Sequence, residues 1–280
     1  MNLTHRSKIA CQYIFSSLFG SKERGKGTAR ILTFHGIEPP EKCGVSELNY
    51  EKFTTFIRFL YENGYRTTTV RDLLEDWPHS LSHQRRLVLT FDDGYLNHWE
   101  LVCPILKQYG MTATFFVPTR FISEEVSKCE FTVYGKKEEK VFLGWEQLRK
   151  MRDDGFEIGS HGHSHSLIGS LPPEQVMLEM QYSKMILEEK IGERIVSFSY
   201  PFGQQGAFTP ATRDAVQQAG YHCACTQMGG AIHERSDLFE LPRNDVGSMD
   251  SLRSFKLKLE GYYDLWFRLR QGRLHNGGRL

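Results

Sequence analysis

The chain has 280 residues, 40% of them hydrophobic, and a formal net charge of +1. This length and composition suit one α/β domain with a sizeable core. The balanced charge argues against a nucleic-acid partner, because nucleic acids bind strongly basic surfaces. No stretch reaches the roughly 20 apolar residues that a membrane span needs.

The segment 1–28 precedes the first predicted strand and mixes apolar with basic residues. We interpret it as an N-terminal helix, with an amphipathic helix that makes peripheral contact with a membrane as the alternative. It has no clean signal-peptide cleavage site, so a cytoplasmic location, with membrane association left open, is the expectation. The six cysteines form no CxxC pair, which favours a reducing compartment.

Strands and helices alternate along the rest of the chain. The predicted strands are residues 29–34, 65–70, 87–91, 112–117, 156–160, 196–200, 221–226 and 238–246. The predicted helices are residues 49–63, 101–109, 145–151, 172–191 and 209–219. Residues 121–140 are polar and are predicted to be an irregular surface excursion. The alternation indicates parallel pairing in one α/β domain, residues 29–250, followed by a C-terminal helix and flexible tail, residues 251–280.

Polar or turn residues stand where the predicted strands end. They are His35, Asp92-Asp93, His161, Pro201-Phe202-Gly203 and Arg243-Asn244-Asp245. In a (β/α) barrel the carboxyl ends of the strands form one face, and the active site lies there. The sequence therefore predicts that five strands direct these residues towards one region.

The stretch 161–165 (HGHSH) has the residue types of a metal site. His161 and His165 can converge on either a helix or a strand, whereas His163 can join them only if the backbone is extended. Two histidines and a carboxylate from Asp92-Asp93 leave open positions for water and substrate. Zinc suits these donors, and iron, cobalt and nickel accept the same ligand types. One aspartate can bind the ion while its neighbour acts as general base on the metal-bound water.

These motifs together resemble those of the polysaccharide deacetylases, the carbohydrate esterase family 4 or NodB homology domain. The matching segments appear in the family's order, and the likeness covers roughly residues 35–246. They are residues 32–35 (LTFH), 90–94 (TFDDG), 145–148 (WEQL), 161–165 (HGHSH) and 199–203 (SYPFG). The resemblance implies a distorted (β/α)7 barrel and metal-dependent removal of acetyl from N-acetylated sugars of an oligosaccharide or polysaccharide.

The resemblance also implies a role for each matching residue. Asp92 matches the family's catalytic base, and Asp93, His161 and His165 match its metal ligands. A backbone N–H near Phe202 would stabilise the oxyanion. The predicted substrate-binding residues are His35, Tyr200, Pro201, Phe202 and Arg243.

The sequence departs from the family pattern at two places. The family often has an arginine two residues before the proline, where it orients the catalytic base. This chain has Ser199 at that position. We raise the hypothesis that Arg243 reaches the base instead. The family also has a late histidine that protonates the leaving amine. Of His222 and His233, we predict His233 as this catalytic acid, since His222 starts a strand and should lie at the wrong end of the barrel.

Two other functions stay open on the sequence. The same metal site can serve a non-sugar amide such as a peptide or cyclic imide. A non-catalytic glycan-binding barrel is the second alternative, because Ser199 and the uncertain acid weaken the catalytic set. The paired aspartates and the two histidines favour the deacetylase.

Overall fold

A computed structural model describes residues 28–42, 47–79, 85–133 and 136–267, together with Ile14 and Leu269. The strands are β1 (Thr28–Phe34), β2 (Ile37–Glu38), β3 (Leu48–Asn49), β4 (Arg66–Thr68), β5 (Arg86–Phe91), β6 (Thr114–Val117), β7 (Ser127–Val133), β8 (Lys136–Phe142), β9 (Glu157–Ser160), β10 (Ser197–Ser199), β11 (Cys223–Cys225), β12 (Ile232–His233) and β13 (Arg243–Asp245). The helices are α1 (Tyr50–Glu62), α2 (Val70–Glu75), α3 (Cys103–Gln108), α4 (Trp145–Asp153), α5 (Pro173–Ile191), α6 (Pro210–Gln218) and α7 (Leu252–Leu259), and a π-helical turn spans His98–Val102.

The main strands pair in a ring. The parallel neighbours run from β1 through β5, β6, β9 and β10 to β11. A parallel bridge between Cys225 and Leu241 continues the ring, and the parallel pairing of β13 with β1 completes it. Because closure depends on this short contact, the sheet is a strongly curled, distorted barrel. The predicted (β/α)7 fold is thereby confirmed.

One edge of the sheet departs from uniform parallel pairing. Strand β12 runs antiparallel to β1, with His233 opposite Thr28. The prediction of parallel strands throughout is wrong at this point, and the sheet is mixed. The predicted strand at 238–246 is also shorter, since only β13, Arg243–Asp245, pairs as a strand.

The two faces of the sheet bury two separate apolar clusters. The larger one lies between the strands and the surrounding helices, where the rings of Phe34, Phe91 and Phe115 stack at centroid distances of 5.1 and 5.0 Å. The smaller cluster, on the other face, includes Val88 and Phe116. Burial on both faces explains why these strands read as continuous apolar runs in the sequence.

Residues 121–140 form more ordered structure than predicted. Most of this stretch belongs to an antiparallel hairpin, β7 paired with β8. The prediction of an irregular excursion was wrong because it gave weight to the charged residues of β7 and overlooked their alternation with apolar ones, which buries Phe131. The backbone N–H of Leu143 donates to the Gly94 carbonyl at 3.0 Å, which joins the hairpin to the loop after β5.

The chain termini are described in part. Apart from Ile14, the predicted N-terminal segment up to residue 27 lies outside the described residues, as does the predicted tail beyond residue 269. Helix α7 occupies the start of the C-terminal region. Within the described ranges, every helix is too short or too polar to cross a lipid bilayer.

Candidate metal centre and active site

The carboxyl ends of the parallel strands bring acidic and histidine residues together. Asp92 and Asp93 directly follow β5, and His161 directly follows β9. The N–H of Asp92 donates to the Phe34 carbonyl and that of His161 to the Val117 carbonyl, each at 3.0 Å. These residues therefore extend the sheet's hydrogen bonding, and strand register determines where their side chains begin.

Asp93, His161 and His165 form a compact trio. Each offers one ligand atom, and the three atoms lie within 4.8 Å of one another. Asp93 Oδ1 is 3.6 Å from His161 Nε2 and 3.3 Å from His165 Nε2. Two ligands about 2.0–2.1 Å from one tetrahedral zinc ion stand about 3.3 Å apart. The trio therefore fits a divalent cation, and its nitrogen and oxygen donors are types that zinc and several other metals accept.

Two members of the trio have left-handed backbone conformations. The φ angle is +76° at Asp93 and +58° at His165. Such conformations are costly for side-chain-bearing residues and concentrate at functional sites. Gly94 follows with φ +69°, and a Cβ there would lie 3.0 Å from Val117 Cγ1. The turn after β5 therefore requires glycine at this position.

The hydrogen bonding of His161 fixes its imidazole in the neutral form with Nε2 free to bind a metal. Its Nδ1 is 2.8 Å from the Ser199 carbonyl oxygen, which can only accept, so Nδ1 carries the proton. Nε2 then faces Asp93 with its lone pair. Burial lowers the pKa of His161 to about 4, because the buried imidazolium is poorly solvated.

Asp92 is held beside the trio by Arg243. Arg243 Nη1 donates to Asp92 Oδ1 at 2.7 Å, and Nη2 donates to Oδ2 at 2.6 Å. Burial alone would raise the pKa of the Asp92 carboxyl, but the charge of Arg243 and its hydrogen bonds outweigh burial and lower that pKa. Asp92 is thus ionised at neutral pH, with Oδ2 3.9 Å from His161 Nε2.

Arg243 lies on β13, which pairs with β1 on the side opposite to β5. Its other donor contacts are to Ser199 Oγ at 2.8 Å, Thr90 Oγ1 at 3.1 Å and the Thr226 carbonyl at 3.0 Å. The predicted substrate contact of Arg243 is wrong, because the side chain is 0% exposed. The guanidinium instead orients Asp92, as the hypothesis about the missing arginine proposed.

His35 lies at the mouth of the same site. It follows β1, is about a quarter exposed, and its Nδ1 is 3.6 Å from Asp245 Oδ1. The buried His98 donates from Nε2 to the His35 carbonyl at 3.1 Å. His35 also contributes to lowering the pKa of both Asp92 and Asp93. Because Phe34 pairs with Phe91, His35 and Asp92 leave neighbouring strands at the same level, and a partly exposed imidazole stands beside the aspartates.

His233 lies at the opposite end of the barrel. It pairs with Thr28, at the amino end of β1, whereas His35 follows the carboxyl end. Seven residues of strand separate the two ends, about 20 Å at about 3.3 Å per residue. The prediction of His233 as catalytic acid is corrected, because β12 pairs with the amino end of β1, away from the site.

The segment 199–203 contributes less substrate-facing surface than predicted. Tyr200 is 0% exposed and its hydroxyl donates to the Phe239 carbonyl at 3.2 Å, so the predicted substrate contact of its side chain is wrong. Pro201 is also buried. Phe202 is 42% exposed, with its ring 4.9 Å from that of His165. Phe202 alone of these three presents an open face beside the trio.

Sequence reasoning missed two residues that line the site. The Phe131 ring lies 4.7 Å from the His165 ring, on the hairpin that was predicted to be irregular. Gln227 Nε2 donates to Asp92 Oδ2 at 3.4 Å. The polar–apolar alternation of β7 was a usable signal for Phe131, whereas nothing local distinguishes Gln227.

His163 does not join the trio. Its Nδ1 is 2.8 Å from Thr119 Oγ1, and its ring lies 4.9 Å from that of Tyr182. The backbone is not extended here, since Gly162 has φ +76°. The sequence allowed His163 to join His161 and His165 only if this backbone were extended.

Comparisons with known proteins place this geometry in a family. The family profile "Polysaccharide deacetylase" matches residues 80–224, just over half of the chain. The Bacillus subtilis (strain 168) protein named "Putative polysaccharide deacetylase YxkH" is 28% identical over 82% of this chain and 75% of its own length. The poly-beta-1,6-N-acetyl-D-glucosamine N-deacetylase of Escherichia coli K12 is 23% identical over 70% of this chain, which spans only 33% of that protein.

A solved structure has the same fold. The Streptococcus pyogenes deacetylase PplD, solved in complex with acetate, superposes with a TM-score of 0.70 at 20% identity. The match covers 84% of this chain and 99% of that one. The chain belongs to the polysaccharide deacetylase family, whose members are hydrolases that act on carbon–nitrogen bonds other than peptide bonds.

Proposed function

We propose that this protein is a metal-dependent N-deacetylase that removes acetyl groups from N-acetylated sugars of a polysaccharide or glycan precursor. One observation carries the proposal: Asp92, ionised and bound by Arg243, stands next to the Asp93–His161–His165 trio. The Escherichia coli relative is named for poly-β-1,6-N-acetyl-D-glucosamine, which supports this polymer class as the first substrate to test.

Asp93, His161 and His165 would hold the cation, for which we propose zinc. Their spacing fits a tetrahedral ion, and His161 offers a neutral Nε2 whose orientation Ser199 determines. When bound, a divalent cation supplies Lewis acidity that polarises the acetyl carbonyl and makes water more acidic.

The chain's own residues would move the protons. Asp92 accepts a proton from the attacking water, and Arg243 keeps its carboxylate ionised and in a fixed orientation. His35 then donates a proton to the leaving amine nitrogen, and the Asp245 carboxylate, 3.6 Å from its Nδ1, favours the charged imidazolium. A backbone N–H near Phe202 is proposed to bind the developing oxyanion.

Metal content and acetate release test the proposal together. The purified protein should hold about one divalent ion per chain and release acetate from N-acetylglucosamine oligomers. Chelation should remove both the ion and the activity, and added Zn²⁺ should restore them. His161→Ala should lose the metal and the activity, since it removes one ligand of three.

The matched control is His222→Ala. His222 lies at the amino end of the barrel, where its backbone N–H donates to the Val196 carbonyl. It should retain both metal and activity. A His161→Ala protein with wild-type metal content and acetate release would exclude this metal centre. Hydrolysis of small non-sugar amides, with no acetate from the oligomers, would favour the amidase instead.

His35→Gln tests the assignment of the proton donor. Loss of a positioned acid should lower kcat on N-acetylated sugars by about 10²–10⁴-fold. Acetyl esters of an acidic phenol should be hydrolysed at nearly the wild-type rate, because a phenolate leaves without a proton. Steady-state kinetics compares kcat for the amide and the ester in the wild type and His35→Gln, with His233→Gln as the histidine control. Equal losses on the amide and the ester would refute the role.

A further inference from the structure

Glu179 on helix α5 accepts hydrogen bonds from the loop that connects the two histidines of the trio. Its Oε2 accepts from the backbone N–H of His163 at 2.9 Å and of Ser164 at 2.8 Å. Its Oε1 accepts from Ser164 Oγ at 2.6 Å. Three donors from two adjacent loop residues therefore converge on one half-buried carboxylate.

The same loop is held on its other side by residues that follow β6. The N–H of Thr119 donates to the Gly162 carbonyl at 3.2 Å, and the N–H of Arg120 donates to the His163 carbonyl at 2.9 Å. The Gly162 and His163 carbonyls thus accept from residues that follow β6, while the His163 and Ser164 N–H groups donate to helix α5. Gly162 is buried and His163 and Ser164 are half-buried, so these bonds satisfy backbone groups that water reaches poorly.

This arrangement matters because the loop conformation is unfavourable by itself. His165 has φ +58°, which is costly for a residue with a side chain, whereas Gly162, with φ +76°, adopts its left-handed turn freely. A Cβ at Gly162 would lie 3.4 Å from Glu179 Oε2, so the carboxylate packs directly against the loop. Charge-assisted hydrogen bonds to an ionised acceptor are stronger than neutral ones and can offset such strain.

We propose that Glu179 is a positioning residue that fixes His165 opposite His161 and Asp93, and thereby determines the affinity of the trio for its cation. Glu179 touches neither the trio's ligand atoms nor substrate in this role; it acts through the backbone of residues 163 and 164. The inference rests on the metal centre of the proposed function. In this role His163 is structural, because its backbone N–H is one of the groups that bind the loop to Glu179.

Metal affinity of the full-length protein tests this role. Dissociation constants for Zn²⁺ are measured by competition with a chromophoric chelator, and the thermal midpoint of the metal-free protein is measured in parallel. Glu179→Ala should weaken Zn²⁺ binding by about 10–100-fold, the range found for residues that support metal ligands. Glu179→Gln should lose less, because its amide oxygen still accepts from the loop N–H groups.

Glu189→Gln is the matched control, an exposed glutamate on the same helix. It should bind Zn²⁺ as the wild type does. Ser164→Ala removes a single donor and should weaken binding less than Glu179→Ala, so the series remains informative if Glu179→Ala folds poorly.

Two negative outcomes are distinct. If the wild type binds Zn²⁺ and the Glu179 and Ser164 variants bind it equally well, with or without a lower thermal midpoint, the positioning role is excluded and the metal centre stands. If the wild type itself binds no divalent ion, the proposed function and this inference fall together.

Discussion

Replacing Asp92 by asparagine is expected to lower kcat for acetate release by about 10²–10⁴-fold, the usual contribution of a positioned general base. Asparagine has nearly the same shape but cannot take a proton from water. Arg243 Nη2 and Ser199 Oγ can still donate to an amide oxygen at the Oδ2 position. The amide nitrogen would face Arg243 Nη1 and the guanidinium would lose its counter-charge, so the stability should fall, but the ligand atoms of the trio are untouched. The fall should therefore appear in kcat with little loss of bound metal.

The neighbouring residue supplies the contrast. Asp93→Ala removes an atom of the trio and should lose metal and activity together. Elemental analysis and steady-state kinetics on both variants separate the two roles. Metal loss in Asp92→Asn with metal retention in Asp93→Ala would reverse the assignment, and full activity in Asp92→Asn would remove Asp92 from the mechanism.

Replacing Arg243 by methionine is expected to destabilise the protein by about 3–5 kcal/mol, the cost of breaking a buried ion pair by removing one partner. Both Arg243 and Asp92 are at most 1% exposed, so water cannot replace the guanidinium easily. The Asp92 carboxylate would remain buried without its compensating charge. Urea unfolding measures the loss, and acetate release should fall as well because Asp92 is no longer oriented.

Two further variants show whether the ion pair is the cause. The double variant Arg243→Met with Asp92→Asn should recover much of the lost stability, because no uncompensated charge remains. Arg213→Met breaks a partly exposed pair with Asp237 at 2.7 Å and should cost no more than about 1 kcal/mol. A single Arg243→Met variant as stable as Arg213→Met would contradict the ion-pair argument.

Much of the candidate site could be predicted from local patterns. The uninterrupted apolar run before Asp92 predicts a strand buried on both faces, and Gly94 predicts the turn that follows. The spacing of His161 and His165 allows convergence in either regular backbone. These features depend on a few adjacent residues, and the structure has the strand and the turn where the pattern predicts them.

Contacts between distant residues could not be predicted in this way. Arg243 and Asp92 are 151 positions apart, and their hydrogen bonds exist only because the ring of strands brings β13 round to β1. The register of β12 against β1 is likewise a tertiary property, and it places His233 at the far end from His35. The part that Phe131 plays depends on how the β7–β8 hairpin folds back over the site.

The sequence by itself determined which chemical groups the site contains: two adjacent carboxylates, two histidines and a glycine turn, each at the end of a strand. Only the tertiary structure decided that Arg243 orients the base, that His35 rather than His233 stands at the mouth, and that Glu179 holds the histidine loop. The physical reason is that side-chain alternation follows from neighbouring residues along a strand, whereas register, strand direction and ring closure depend on pairings between residues far apart in the chain.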